Sequence, residues 1–214
     1  MQSDVTIIDY GLGNILSVRR GFEHFNAKIH ITSDPSELTK ADRLVLPGVG
    51  AFGNAMRKLK DLNMIEAIHF AAEKNKPILG ICLGMQLLLN ESEEFGKQEG
   101  LGLIPGNVIP VPNHTVNGES LKIPHIGWDS LLYGSHYSSW EGTLLESIRP
   151  ENFAYFIHSF MAVTENPLHR IAECNYGGHL IPAVIQKEKT IGCQFHPEKS
   201  GEYGLEILKR FLLL

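Results

Sequence analysis

The residues best placed to do chemistry surround Cys82. The segment Pro77-Ile78-Leu79-Gly80-Ile81-Cys82-Leu83-Gly84-Met85-Gln86 runs an apolar strand straight into a helix through Gly-x-Cys-x-Gly. That pattern is the cysteine counterpart of the Gly-x-Ser-x-Gly nucleophile elbow. Glycines on either side leave room for a sharp, strained turn that lifts the sulfur above a sheet edge. The turn also puts Cys82 at a helix N-terminus, where the backbone dipole favours thiolate over thiol. The N–H of Leu83 then points to where an oxyanion would form. Taken alone, the segment also fits a buried cysteine in a tight strand–helix junction.

A cysteine nucleophile needs a base and a group to orient that base. Ile191-Gly192-Cys193-Gln194-Phe195-His196-Pro197-Glu198 offers both. Side chains alternate between the two faces of a strand. Ile191, Cys193 and Phe195 therefore share the core face, while Gly192, Gln194 and His196 share the other. Cys193 points away from His196, which argues against it as the nucleophile. Pro197 biases His196 towards an extended backbone. Glu198 can then turn back to accept the second imidazole N–H. By itself this segment also fits a His-Pro turn with a surface glutamate. A third stretch, Pro47-Gly48-Val49-Gly50, ends a strand that would lie beside the Cys82 elbow in a parallel sheet. Ligands bind at the carboxyl ends of such strands. Backbone N–H groups of Gly48, Val49 and Gly50 are candidates for the second oxyanion donor, although a plain strand–helix turn fits these residues equally well.

The elements that must position these groups follow from pattern. Val5–Asp9, Ile29–Ile31, Arg43–Leu46 and Pro77–Ile81 read as strands, and 15–25, 51–59, 64–74 and 83–89 as helices. Strand and helix alternating through short connections predict an α/β fold: an open, mostly parallel twisted sheet with helices on both faces. The second half changes character and adds antiparallel or mixed pieces. Ser120–Leu132, Phe153–Val163, Arg170–Asn175, Leu180–Gln186 and Thr190–Phe195 read as strands, and Gly201–Leu213 as an amphipathic helix. Stretches 113–118 and 134–142 read as surface loops. Without linker or repeat, residues 1–214 read as a single domain.

The net charge of −5 and the absence of Lys/Arg runs give no footprint for nucleic acid. Met1-Gln2-Ser3-Asp4 lacks the basic start and apolar stretch of a signal peptide. No window approaches the ~18 apolar residues of a membrane span. The three cysteines, Cys82, Cys174 and Cys193, form no CxxC pair, which fits reduced thiols in the cytoplasm. None of the ten histidines has HExxH or paired Cys/His spacing, so neither metal nor cofactor is expected.

Together these segments resemble the class I, triad-type glutamine amidotransferases. The resemblance covers nearly the whole chain. It is closest to the glutaminase subunits of imidazole glycerol phosphate synthases, which serve histidine biosynthesis. It rests on Ile8-Asp9-Tyr10-Gly11-Leu12-Gly13-Asn14, Leu46-Pro47-Gly48-Val49-Gly50-Ala51-Phe52, the Cys82 segment and Gly100-Leu101-Gly102-Leu103-Ile104-Pro105-Gly106. Ile123-Pro124-His125-Ile126-Gly127-Trp128, Tyr155-Phe156-Ile157-His158-Ser159 and Gln194-Phe195-His196-Pro197-Glu198-Lys199-Ser200-Gly201 complete it.

The resemblance implies a triad of Cys82, His196 and Glu198 that hydrolyses L-glutamine through a thioester. It also implies that Gln86 contacts the substrate. A separate (β/α)8-barrel synthase would consume the ammonia, making imidazole glycerol phosphate and AICAR. Such a barrel needs about 200 residues or more of its own, so a heterodimer is expected. The Asn14, Trp128 and Lys199 segments are the candidates for the facing surface, although Trp128 also fits a core position. Low activity without the partner is expected, because the Pro47–Gly50 loop can flip a peptide. Asp129 departs from the asparagine the family often carries there. Tyr176-Gly177-Gly178 and Gly192-Cys193-Gln194 resemble paralogues that serve surface-sugar amidination. That pathway stays open at this point, as does a stand-alone γ-glutamyl cysteine hydrolase.

Overall fold

Short runs rich in Ile, Leu and Val build the parallel half of the main sheet. The computed structural model describes residues 4–214, and the expectation about Met1-Gln2-Ser3 lies outside them. The first strands are β1 (Asp4–Ile8), β2 (Lys28–Thr32), β3 (Leu44–Gly48) and β4 (Ile78–Cys82). Between them run α1 (Ile15–Glu23), α2 (Pro35–Leu38), α3 (Phe52–Asp61) and α4 (Met64–Glu73), and α5 (Leu83–Leu87) follows β4 directly. Next come β5 (Glu91–Ser92), β6 (Gln98–Glu99), β7 (Gly106–Pro110), β8 (His125–Ser130) and β9 (Leu132–Tyr133). They are followed by β10 (Phe153–His158), β11 (Phe160–Thr164), β12 (Arg170–Tyr176), β13 (His179–Lys187), β14 (Thr190–Cys193) and α6 (Gly201–Phe211).

The main sheet has eight strands in the order β2-β1-β3-β4-β14-β13-β12-β9. Neighbours are parallel from β2 through β14 and antiparallel from β14 to β9. The expected α/β class and the change of character in the second half are both present. Strand alternation divides the core in two. Val5, Ile7 and Val45 meet α1 and α6 through Val18, Phe22, Ile207, Leu208 and Phe211. On the other face, Ile8, Leu44 and Leu46 meet α3 and α4 through Phe52, Ala55, Leu59 and Ile68.

Two smaller sheets stand beside the main one: the antiparallel pair β10-β8, and β11-β7-β5-β6. The decisive placement is β14. It comes late in the chain yet lies in the interior of the main sheet, with Gly192 level with Gly80 and Cys193 with Ile81. That register brings the residues after β14 alongside the end of β4.

The structure corrects two readings. Stretch 134–142 is not simply a surface loop. Trp140 is 3% exposed and its Nε1–H donates to the Ile171 carbonyl at 2.9 Å. An isolated tryptophan carries no periodicity, so its burial was invisible in the pattern. Helix α2 was not expected either; Asp34 caps it by accepting from the Ser36 N–H at 2.8 Å. Stretch 113–118 does lie at the surface. Among the described residues, no helix is long and apolar enough to cross a membrane.

Candidate active site

Cys82 ends β4 with φ 55° and ψ −111°. A positive φ is unfavourable for a residue with a side chain and marks stored strain. The flanking glycines are required by close approach. A Cβ on Gly80 would lie 2.6 Å from the Gly84 carbonyl oxygen, and one on Gly84 only 1.8 Å from that of Leu46. The chain therefore turns at Cys82 tightly against β3, and the residue is 8% exposed. Leu83 opens α5, so its N–H belongs to the first turn, whose amides lack intrahelical partners.

The alternation expected for 191–196 is present. Ile191, Cys193 and Phe195 are buried in the α1/α6 core. Gln194 and His196 belong to the opposite set. Gln194 Nε2 reaches Cys82 Sγ at 3.9 Å and Gln86 Nε2 donates to Gln194 Oε1 at 3.0 Å. After β14 a short 3-10 turn, Pro197–Lys199, swings Glu198 back beneath the imidazole. His196 Nδ1–H donates to Glu198 Oε1 at 2.8 Å, and the glutamate side chain is wholly buried. Ser200 locks the turn: its hydroxyl donates to the His196 carbonyl at 2.7 Å and accepts from the Tyr155 N–H at 3.0 Å.

With Nδ1 held by Glu198, the other imidazole nitrogen is left for Cys82. Burial works against the imidazolium, but hydrogen bonding to Cys82 and to Glu198 outweighs it, and His196 is raised to about 9. The other two cysteines differ. Burial pushes both Cys174 and Cys193 up, and charged neighbours add to it, Asp129 and Glu173 at Cys174 and Glu198 at Cys193. They are inert core thiols.

These groups open onto a cavity of about 290 Å³. Val49, Gly50, Cys82, Leu83, Gln86 and His196 line one side. Glu94, Pro124 and the run Ile157 to Phe160 complete the lining. The Cys82 thiol reaches the Ile157 carbonyl at 3.8 Å. The volume suits an amino-acid-sized ligand. Gln86 is in the wall, pinned by its Nε2–H to the Phe160 carbonyl at 3.0 Å.

Gly48 is level with Cys82 in the β3–β4 register but does not line the cavity. It is a packing glycine: a Cβ there would meet Tyr10 Oη at 2.7 Å and Gly84 N at 2.9 Å. Gly50 has φ +96° with open space around it. Of the three suggested surface residues, Trp128 is 52% exposed, which removes the core reading. Lys199 is exposed and Asn14 half-buried.

Sequence reasoning missed several residues here. Tyr10, which carries no chemical signal in the sequence beyond its motif, donates its hydroxyl to the Pro47 carbonyl at 2.8 Å and so orients the peptide entering the loop. Glu94 accepts from the Phe52 N–H at 2.6 Å at the cavity rim. Alternation puts Gln194 on the His196 face, and its place two residues before His196 is the signal that it too faces Cys82.

Residues 6–214 match the family model for class-I glutamine amidotransferases. The chain is 54% identical to imidazole glycerol phosphate synthase subunit HisH 1 of Legionella pneumophila (strain Lens), over 98% of this chain and 99% of that protein. It is 43% identical to subunit HisH of Geobacillus sp. (strain WCH70), over 97% of this chain and 95% of that one. Among solved structures, PurLQS from Thermotoga maritima superposes with a TM-score of 0.75 at 17% identity, covering 100% of this chain and 99% of that one. That likeness speaks for the fold alone. The strained cysteine elbow and the His–Glu pair that follows β14 both fall inside the matched span, and the chain belongs to the class-I glutamine amidotransferases.

Proposed function

We propose that this chain is the glutaminase subunit of an imidazole glycerol phosphate synthase, hydrolysing glutamine for histidine biosynthesis. Its relatives carry that name at 43–54% identity over nearly their full lengths. The observation that carries the chemistry is the convergence of Cys82, His196 and Gln86 on one cavity, with Glu198 behind the imidazole. Residues 1–214 act as one glutaminase domain. The three free, buried cysteines support the cytoplasm as its compartment.

In this reading Cys82 Sγ attacks the side-chain amide carbon of glutamine with its proton already held by His196, whose shift to about 9 favours the imidazolium. The oxyanion accepts from Leu83 N–H and from the Val49–Gly50 segment. His196 then protonates the amide nitrogen as the C–N bond breaks, releasing ammonia and leaving a glutamyl thioester. Water, deprotonated by His196, attacks the thioester, and glutamate leaves as Cys82 is regenerated. Glu198 keeps Nδ1–H in place throughout and stabilises each imidazolium. Gln86 forms part of the wall along which the substrate lies, and the buried Gln194 holds it from behind.

The ammonia is used by a (β/α)8-barrel partner. The outer face of β8 and β10 supports a docking surface beside the cavity. Ile126, Trp128, Phe153 and Ile157 are all large apolar residues left exposed there. Trp128 is tilted on Tyr155 at 5.8 Å. Lys199 stands on the turn that Tyr155 helps to hold. In this reading the Pro47–Gly50 loop rests in a weakly active form until the partner and its ligand engage it.

The test uses the subunit with its cyclase partner. Cys82→Ala is expected to abolish synthesis from glutamine while leaving synthesis from ammonium salts intact. A glutamine-analogue electrophile is expected to place one label, on Cys82; a label on Cys174 or Cys193 would overturn the assignment. Equal glutamine turnover with and without the partner would sink the coupling and favour a stand-alone hydrolase.

A further inference from the structure

Opposite Cys82, two buried histidines and a partly exposed aspartate form a hydrogen-bonded chain that the proposed chemistry does not use. The antiparallel register of β8 and β10 pairs His125 directly with His158. His125 Nε2 lies 2.5 Å from Asp129 Oδ2, and His125 Nδ1 lies 3.0 Å from His158 Nε2. His158 Nδ1 lies 2.8 Å from the Phe160 carbonyl. That carbonyl also accepts from Gln86. The His125 side chain is 1% exposed, whereas Asp129 keeps 32% of its side chain in contact with solvent.

Proton counting constrains this chain. A carbonyl oxygen only accepts, so His158 Nδ1 carries a hydrogen. His158 Nε2 and His125 Nδ1 need one hydrogen between them to make their contact. His125 Nε2 and Asp129 need another. Three contacts therefore require three protons. Two neutral imidazoles beside a carboxylate own only two. Without the third, lone pairs would face each other either between the two imidazoles at 3.0 Å or between His125 Nε2 and the Asp129 carboxylate.

We propose that Asp129, His125 and His158 share one additional proton, and that this proton fixes the β10–β11 bend forming the substrate-facing wall of the cavity. The substrate part rests on the glutaminase reading; the shared proton does not. The surroundings favour placing the charge on His125. Its ring stacks on Tyr176 at 3.9 Å and on Phe156 at 5.0 Å, faces that attract a cation, and the partly exposed Asp129 carboxylate lies against its Nε2. His158 is the neutral member: burial lowers it to about 3, against the Phe160 hydrogen bond and with help from His125 and His196. The other titratable neighbours are Tyr176 and Cys174 on β12, both raised first by burial and then by the Asp129 charge, with Glu173 beside Cys174 and His196 beyond His158.

The consequence reaches the site through one oxygen. Phe160 C=O is held by His158 and in turn holds Gln86, which contacts Gln194 and, through it, Cys82. His125, His158 and Asp129 are positioning residues. Loss of the shared proton frees the bend and loosens Gln86.

The experiment uses the full chain with 15N-labelled histidine, without and with glutamine. NMR is expected to find one imidazole of the pair protonated on both nitrogens at neutral pH. Asp129→Asn keeps an oxygen to accept the Nε2–H but removes the charge. It is expected to lower the pH at which the shared proton leaves by about one unit or more. In the complex with the partner, the KM for glutamine of Asp129→Asn is expected to rise above that pH while kcat stays within about twofold. Two neutral imidazoles with one N–H each at neutral pH in the unmodified chain, or an unchanged midpoint in Asp129→Asn, would overturn the shared proton. A shared proton with a pH-independent KM would overturn its link to the wall. Glutaminase activity absent at every pH, with the NMR result intact, would instead strike the functional reading and leave the proton assignment standing.

Discussion

The wall formed by the ends of β3, β4 and β14 and the wall formed by β8, β10 and β11 face one cavity, but different forces hold them. The first is fixed by parallel register and by backbone packed on backbone, with Gly84 against Leu46 as the tightest point. It carries Cys82 and His196. The second is a two-stranded pair joined to a small sheet, with apolar residues exposed on its outer face and hydrogen-bonded polar groups within. Close backbone contact has no soft mode, whereas a hydrogen-bonded polar chain responds to protonation and to what docks outside it. Apart from the Val49–Gly50 segment, where Gly50 has a positive φ and open space, the first side is stiff, and the response to protonation belongs to the other.

That contrast can be broken most severely on the stiff side. Gly84→Ala forces a Cβ to within 1.8 Å of the Leu46 carbonyl oxygen, which cannot retreat without moving β3. A loss of about 3 kcal/mol or more is expected in urea unfolding, with glutaminase activity lost even where folded protein remains. An alanine there that left stability within about 0.5 kcal/mol would deny the stiffness.

Glu198→Gln comes next. It keeps a hydrogen-bond acceptor for His196 but removes the buried charge, and a fall of roughly 100-fold in glutamine turnover is expected. Its pH signature follows from the sign of the shift. His196 rises from 6.5 to about 9, so the imidazolium stabilises the fold fully below about 6.5 and that stabilisation is lost as pH rises through about 9. An alkaline limb near pH 9 is expected in both stability and kcat/KM. Glu198→Gln should draw that limb downward without abolishing it, because the Cys82 contribution to the shift remains.

Smaller effects sharpen the distinction. Tyr10→Phe removes the bond that orients Pro47 C=O and should cost about 1 kcal/mol in stability, with kcat falling more than KM rises if the loop supplies an oxyanion donor. Trp128→Ala, on the adjustable side, should leave the isolated chain's stability within about 0.5 kcal/mol and weaken partner binding by calorimetry. Unchanged binding would move the docking face elsewhere.

The stiff wall was the legible one. Gly-x-Cys-x-Gly spelled out the elbow because close approach leaves only glycine, and period-two alternation sorted Cys193 from His196 because β14 is extended. The adjustable wall was not legible. His125 and His158 are paired across an antiparallel register that no local pattern encodes, and Asp129 registered only as a departure from the family. Likewise, nothing local in Thr190–Cys193 says that this strand enters the interior of the sheet. Its partners are β4, more than a hundred residues earlier, and β13, just before it.

That placement of β14 also governs when reactivity begins. A nascent chain that has emerged through β13 already contains the elbow sequence and most of the cavity wall, but neither His196 nor Glu198. The sulfur has no proton acceptor of its own until this final described strand threads between β4 and β13. The pairing of Cys82 with His196 and Glu198 thus hangs on one tertiary step, the seating of β14 between β4 and β13, and a molecule in which that strand is out of place keeps the elbow but not the imidazole beside it.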